Sequence, residues 1–309
     1  MTVGCVFTLR KLDLSESNFV SLPACLAKFI KLDELFLKGC KRLQEVSELP
    51  PCLKLLDVGG CVSLEKISKL SNFLTFFFID GAQRLSNILK HQKLQMFELL
   101  DLTNCWRLCH NLVQEAEKRG LLVNDNNHHV KADLFSLLLS SQKSPFSVLF
   151  PGSPEFLKWF PCQEDFKGSR PFEFHIQVLG NFTWQNTGLA LCVACNEFIY
   201  WDFKIRINEE IMWSEFGTPS ELNGAYYTGG ARIWLHYIPF NRMSSTRSSG
   251  YRRPLPPFEC RVTIYETRIS RNHVPLKINC GIYLVMPPNE ECMKLCHAQN
   301  FTDRLEAEN

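Results

Sequence analysis

The chain has 309 residues, 45% hydrophobic and 21% charged, which is enough apolar material for about two domains and too much for a disordered segment. Basic and acidic residues number 34 and 32, a formal charge of +2, which argues against a dedicated nucleic-acid binder. No apolar run approaches the ~18 residues that span a bilayer, and the N-terminus lacks the basic flank and long apolar stretch of a signal peptide. The best such run is Phe73–Ile79. Fourteen cysteines fall well short of disulfide-scaffold density and read as reduced, buried thiols of a cytosolic protein. The glycosylation tripeptides Asn181-Phe-Thr183 and Asn300-Phe-Thr302 point the other way, toward the secretory route.

A repeat fills the first third. Leu32-x-x-Leu35-x-Leu37-x-x-Cys40-x-x-Leu43-x-x-Val46 is one unit, and Leu53-x-x-Leu56-x-Val58-x-x-Cys61-x-x-Leu64-x-x-Ile67 is the next. Leu74-x-x-Phe77-x-Ile79-x-x-Ala82-x-x-Leu85-x-x-Ile88 and Phe97-x-x-Leu100-x-Leu102-x-x-Cys105-x-x-Leu108 follow. Upstream, Leu9-x-x-Leu12-x-Leu14 precedes Asn18, Leu22 and Pro23. Five units spaced by 23, 21, 21 and 23 residues resemble leucine-rich repeats. Each unit is a short strand and a return turn that cannot bury its apolar edge alone, so neighbours must stack. The Cys position sits where the chain leaves the strand. There a side-chain donor can serve backbone carbonyls of the turn, so Cys40, Cys61 and Cys105 read as ladder residues, not metal ligands. Ala82 lacks that donor, and its unit is expected to be looser.

The strand residues between the apolar ones are predicted to line the concave face in three columns. These are Lys11, Glu34, Leu55, Phe76, Leu99; then Asp13, Phe36, Asp57, Phe78, Asp101; then Ser15, Lys38, Gly59, Asp80, Thr103. Exposed aromatics among charges are what a protein-binding surface offers. Asp13, Phe36, Asp57, Phe76, Phe78 and Asp101 are therefore candidate binding residues. No polar capping repeat precedes Leu9, although a solenoid end needs one. The expectation is that the repeats are N-terminally truncated and the chain is the C-terminal piece of something longer.

After Cys105 the pattern breaks. Asn111–Arg119 reads as a short helix stopped by Gly120, residues 124–129 as a polar loop, and Asp133–Ser140 as an apolar helix. From Phe146 the period becomes two. The stretches Phe172–Val178, Phe203–Ile207, Ile233–Tyr237, Cys260–Ile264 and Leu276–Leu284 alternate apolar with polar, and Leu189–Cys195 is continuously apolar, like a strand covered on both faces. Six strands with polar turns predict a sandwich. Cys192 and Cys195, three apart on a strand, face opposite ways and cannot share a metal ion. Cys292, Cys296 and His297 read as thiols and an imidazole in a tail.

The wording LRKLDLSESNFVSLP and the units ending in Cys-x-x-Leu resemble the leucine-rich repeats of plant TIR-type intracellular immune receptors. Four later motifs occur in that family's order: Phe150-Pro151-Gly152-Ser153 with Trp159-Phe160, Gly188–Val193, Ile233–Pro239 and Lys277–Ile282. They resemble the C-terminal jelly-roll/Ig-like domain, C-JID, that follows the repeats in TIR-NBS-LRR disease resistance proteins. Phe156-Leu157 stands where the family has Ile-Pro, and the chain contains no G-x-x-x-x-G-K-[ST] phosphate loop.

The fold expected is an α/β leucine-rich-repeat solenoid followed by an all-β sandwich. Its parts are repeats over 1–112, a helical connector over 113–145, the jelly-roll/Ig-like domain over 146–290 and a tail over 291–309. The resemblance implies a recognition module that binds a pathogen effector protein or the rest of an immune receptor, in the cytoplasm, with the nucleus as second compartment. The loop Asn241–Arg253 holds four cations and no acid, namely Arg242, Arg247, Arg252 and Arg253, and favours an acidic partner patch. No cofactor, metal, nucleic acid or membrane is expected. A second reading, an extracellular repeat receptor, draws on the sequons and cysteines. The third, a hydrolase on a β-sandwich, has no G-x-S-x-G or H-E-x-x-H to support it, and His175 and His236 lack a spaced Ser or Asp partner.

Overall fold

A repeat of 21 to 23 residues has room for a three-residue strand, a tight turn and a short return, and little else. The computed structural model builds the units this way. It describes residues 8–85, 97–111, 144–152, 162–165, 171–178, 184, 187–195, 200–216, 232–244, 257–267, 278–285 and 294–298. The chain divides into two compact units, Met1–Val130 with Ser141–Pro151 and Trp234–His236, and Lys131–Ser140 with Gly152–Ile233 and Tyr237–Asn309.

In the first unit the strands β1 (Lys11–Asp13), β2 (Glu34–Phe36), β4 (Leu55–Asp57), β6 (Phe76–Phe78) and β7 (Leu99–Asp101) lie side by side in parallel. On the return side, β3 (Glu45–Val46) pairs in parallel with β5 (Lys66–Ile67). The register is set by the repeat itself, since Lys11, Glu34, Leu55, Phe76 and Leu99 are successive partners. Leu32, Leu53 and Leu74, then Leu35, Leu56 and Phe77, then Leu37, Val58 and Ile79 stack as closed columns with no exposed surface. Each such side chain contributes about 1.5–3 kcal/mol of burial. Phe77 stacks on Phe97 with ring centroids 5.9 Å apart.

The expected α/β character of the repeats is not what the described residues show. Their returns are a 3-10 turn at Ala24–Lys28 and the short strands β3 and β5, and the one helical segment among them is residues 106–111. A 21-residue unit spends most of its length on strand and turns, so an α-helical return does not fit and 3-10 or extended backbone replaces it. The helix expected over Asn111–Arg119 lies, apart from Asn111, outside the described residues, as does the one over Asp133–Ser140.

The strand β8 (Phe146–Pro151) is buried along its whole length and runs parallel to β7, with Leu99, Leu100 and Asp101 opposite Ser147, Val148 and Leu149. It belongs to the repeats' sheet, and the first compact unit includes Ser141–Pro151. Strands buried on both faces read as near-continuous apolar runs, which is what FSVLFP is.

The second unit contains β9 (Cys162–Asp165), β10 (Phe172–Val178), β11 (Gly188–Cys195), β12 (Tyr200–Ile207), β13 (Glu210–Phe216), β15 (Phe258–Thr267), β16 (Ile278–Val285) and β17 (Lys294–Ala298). The strand β14 (Arg232–Pro239) contributes its centre to the first unit and its ends to the second. One antiparallel sheet has the order β13-β12-β15-β10-β17, and β11, β16 and β9 pair antiparallel in another. Five of the six stretches with period-two or continuous apolar patterning are strands throughout, and the sixth is a strand over its described residues, from Ile278 on. On β10, β12 and β15 the residues Phe174, Ile176, Phe203, Ile205, Cys260 and Val262 are buried on one face. Trp184 packs against Phe258 of the first of these sheets and against Phe240, just past β14, with centroids 5.7 and 5.6 Å away.

The segment read as a tail holds β17, which pairs antiparallel with β10 from Val178↔Lys294 to Phe174↔Ala298. An open strand edge such as that of β10 carries unpaired backbone groups and takes up an extended neighbour.

Candidate functional site

The chain leaves each repeat strand through a left-handed residue. Glu16, Gly39, Gly60, Gly81 and Asn104, equivalent positions in the five units, have φ of 59, 70, 71, 71 and 59°. Glycine or asparagine tolerates this region, and a glutamate there is strained. The turn that follows puts a thiol against the preceding coil. Cys40 Sγ donates to the Leu14 carbonyl at 3.2 Å, Cys61 to Leu37 at 3.1 Å and Cys105 to Ile79 at 2.8 Å. This is the ladder expected from the sequence. Burial pushes the Cys61 and Cys109 thiols up to about 12 and raises those of Cys40, Cys105 and Cys260, so these sulfurs stay protonated and are not nucleophiles.

The strand geometry brings Asp13, Phe36, Asp57, Phe78 and Asp101 into one column on the concave face. The acids have a structural task. Asp13 Oδ1 accepts from Ser15 N at 2.9 Å, Asp57 Oδ1 from Gly59 N at 2.8 Å, and Asp101 Oδ1 from Thr103 N at 2.9 Å. Each carboxylate thus closes a local Asx-type turn as the chain leaves the strand. Gly59 leaves room for this, because a Cβ there would lie 3.1 Å from Asp57 Oδ1.

The expectation that this column is exposed requires correction. Asp13 is exposed, but Phe36 and Phe78 retain only 8% and 7% of their surface, Asp57 2% and Asp101 7%. In-register strands lie about 4.8 Å apart, so an inner side chain is flanked from both sides, and inward curvature converges the tips. Lys11 adds cover, with its Nζ 4.5 Å from the Phe36 ring centroid while it pairs with Glu34 at 3.4 Å. The accessible part of the concave face is made by Lys11, Asp13, Ser15, Glu34, Lys38, Phe76 and Asp80.

Asp57 is electrostatically unusual. Burial pushes its carboxyl up to about 6, against the pull of the Gly59 amide and Lys38, and Asp101 and Asp80 push it further. Asp13, held by the Ser15 side chain and amide, is instead lowered. Asp80 Oδ1 accepts from Asn104 Nδ2 at 2.9 Å.

Of the basic loop, Arg242 is exposed on the short turn Phe240–Arg242, and Arg247, Arg252 and Arg253 lie outside the described residues. Both histidines found without partners in the sequence have them. His236 Nδ1 lies 2.7 Å from Ser147 Oγ, both residues being buried in the first unit, and Trp234 stacks on the imidazole at 5.1 Å. His175 Nδ1 lies 2.5 Å from Glu259 Oε1. The pairs are 89 and 84 residues apart, and no local spacing could announce them. Beside His175, Arg261 reaches Glu173 at 3.5 Å and Glu209 at 2.7 Å. Among the described residues no group of three His, Cys, Asp or Glu side chains is placed to hold a metal ion, and no helix is long and apolar enough to cross a membrane.

No protein-family model matches the chain. Over 56 residues it is 46% identical to TMV resistance protein N of Nicotiana glutinosa, a match covering 18% of this chain and 5% of that relative. Part of the chain is thus related to part of a plant disease resistance protein.

Proposed function

We propose that the chain is a recognition module of the plant immune system, which binds a pathogen effector or the remainder of an immune receptor without making or breaking covalent bonds. The observation that carries this is the 56-residue match to a resistance protein in a chain whose first unit is a parallel, repeat-built sheet. In this reading the surface consists of Lys11, Asp13, Glu34, Lys38, Phe76 and Asp80, with Asp57, Phe36, Phe78 and Asp101 as the layer that holds it in shape. The arginines 242, 247, 252 and 253 form a second, cationic contact for an acidic patch. The second unit is read as a jelly-roll/Ig-like sandwich of the C-JID kind, supported by its antiparallel sheets and by Trp184 between Phe240 and Phe258. The compartment proposed is the cytoplasm or nucleus. The buried Ser147–His236 pair suits an internal hydrogen bond better than reaction with a solute.

A two-hybrid screen of the full chain against secreted pathogen proteins tests the reading. The expected result is a binder lost on Glu34→Lys, Lys38→Glu or Phe76→Ala and kept on Lys204→Glu, which alters the second unit. A binder indifferent to all three concave changes, or a chain whose removal leaves infection of its plant unaltered, would overturn it.

A further inference from the structure

Each phenylalanine of the middle column sits in a small grid of neighbours on the same face. Phe36 is flanked by Asp13 and Asp57 across the strands and by Glu34 and Lys38 along its own. Lys11, diagonal to it, holds Nζ 4.5 Å from the ring centroid. Two cations thus accompany the acids of that grid. Phe78 is flanked by Asp57 and Asp101 across the strands and by Phe76 and Asp80 along its own. Its diagonal neighbours are Leu55 and Leu99 on the Phe76 side, and Gly59 and Thr103 on the Asp80 side. The second grid therefore has three acids and no cation of its own, with the apolar side chains gathered at one end.

Two observations mark this grid as a place for a cation. Burial, joined by the charges of Asp101 and Asp80, holds the Asp57 carboxyl near 6, although the Gly59 amide and Lys38 of the first grid pull it down. Thr103, 1% exposed, keeps a buried hydroxyl with no hydrogen-bond partner among the described residues, whereas buried hydroxyls are ordinarily bonded. Its amide donates to Asp101 Oδ1 at 2.9 Å and its carbonyl accepts from Gly81 N at 2.9 Å, and strand alternation sets its side chain beside Asp80 on the concave side.

We propose that the Phe78 grid seats one arginine side chain of a partner protein, its stem along Phe76 and its guanidinium donating to the Asp80 carboxylate and the Thr103 hydroxyl. This rests on the reading of the repeats as a recognition surface and names the chemistry recognised. Phe76 and Asp80 are half-buried and give the entry, while Asp57 and Asp101 lie deeper and add negative potential. An arginine matches the grid end to end, because its stem is apolar and its planar head serves two acceptors and an aromatic face. Phe36 with Lys11 shows the same contact made within the chain.

Titration of the full chain with N-acetyl-arginine amide, read by amide NMR shifts at about pH 7.5 and low salt, tests this without any partner protein. A failed two-hybrid screen and a failed titration are therefore separate results. N-acetyl-citrulline amide, which keeps the shape and lacks the charge, is the control. The expected result is a saturable shift at Gly59, Asp80 and Thr103, with a Kd on the order of 1–10 mM, and none with the citrulline probe. Asp80→Asn, which keeps an acceptor for Asn104 Nδ2, should weaken binding about fivefold or more. Thr103→Val should weaken it about two- to threefold and leave the melting curve unchanged, since the hydroxyl holds nothing in the free chain. Glu65→Gln, at the exposed pair with Arg84, should change nothing. If Asp80→Asn unfolds the chain, Asp57→Asn, which keeps the acceptor for Gly59 N, serves in its place and should also weaken binding. The proposal is overturned by the absence of a saturable shift, by shifts scattered over exposed acids, by equal binding of the citrulline probe, or by wild-type affinity in the Asp80 or Asp57 variant.

Discussion

Replacing Asp57 by Asn separates the cost of a buried charge from the benefit of the turn that the side chain closes. Asp57 keeps 2% of its surface, and its carboxyl titrates near 6 against an ordinary value of 3.8. Two pH units at about 1.4 kcal/mol each amount to about 3 kcal/mol. The folded value lies above the unfolded one, so the associated stability is complete below about pH 4 and is lost as the pH rises through about 6. At pH 7.5 the ionised side chain therefore weakens the fold. Asn keeps the oxygen that accepts from Gly59 N and removes the charge. Asp57→Asn should raise the melting temperature of the repeat unit at pH 7.5, on the order of 5–10 °C. At about pH 4 the gain should vanish. Calorimetry of wild type and variant at both pH values reads this directly. An equal gain at both, or a loss at pH 7.5, would refute the electrostatic account and leave the turn as the acid's whole role.

Ala82→Cys should restore the missing rung by donating to the Val58 carbonyl, for about 0.5–1.5 kcal/mol in denaturant unfolding, since its equivalents Cys61 and Cys105 make that bond. Glu16→Gly should add about 1 kcal/mol by relieving a left-handed glutamate, and Gly60→Ala should cost about 1–2 kcal/mol in the same assay. With an aromatic disulfide reagent at pH 8, exposed Cys25 should react within minutes while Cys61, Cys105, Cys109 and Cys260 react only on unfolding, as mass mapping would show.

The repeat was legible because its physics is one-dimensional. A fixed spacing of Leu-x-x-Leu-x-Leu specifies which side chains meet, and Leu35, Leu56 and Phe77 meet as the spacing requires. The thiol ladder was legible for the same reason. The glycine column Gly39, Gly60 and Gly81 stands at the same spacing, and attention to positive φ alone would have found it. What spacing cannot carry is the third dimension of the concave face. The letters D, F, D, F, D look like an exposed mixed surface, yet curvature and flanking strands bury all but the first. The fate of Phe146–Pro151 was illegible for a related reason, because an apolar strand fits a parallel sheet as well as an antiparallel one. The partnerships Ser147–His236 and His175–Glu259 depend on strand order, and the pairing of Lys294–Ala298 depends on an open edge at β10. Neither is written locally.

Recognition through the repeats is the claim on which the functional account rests. The most direct measurement is an amide hydrogen-exchange map of the full chain, alone and with the protein recovered in the two-hybrid screen. Slowed exchange around residues 34–38 and 76–80 on binding is the predicted result. Protection confined to the outer strands of the second unit, with the repeats unchanged, would contradict it.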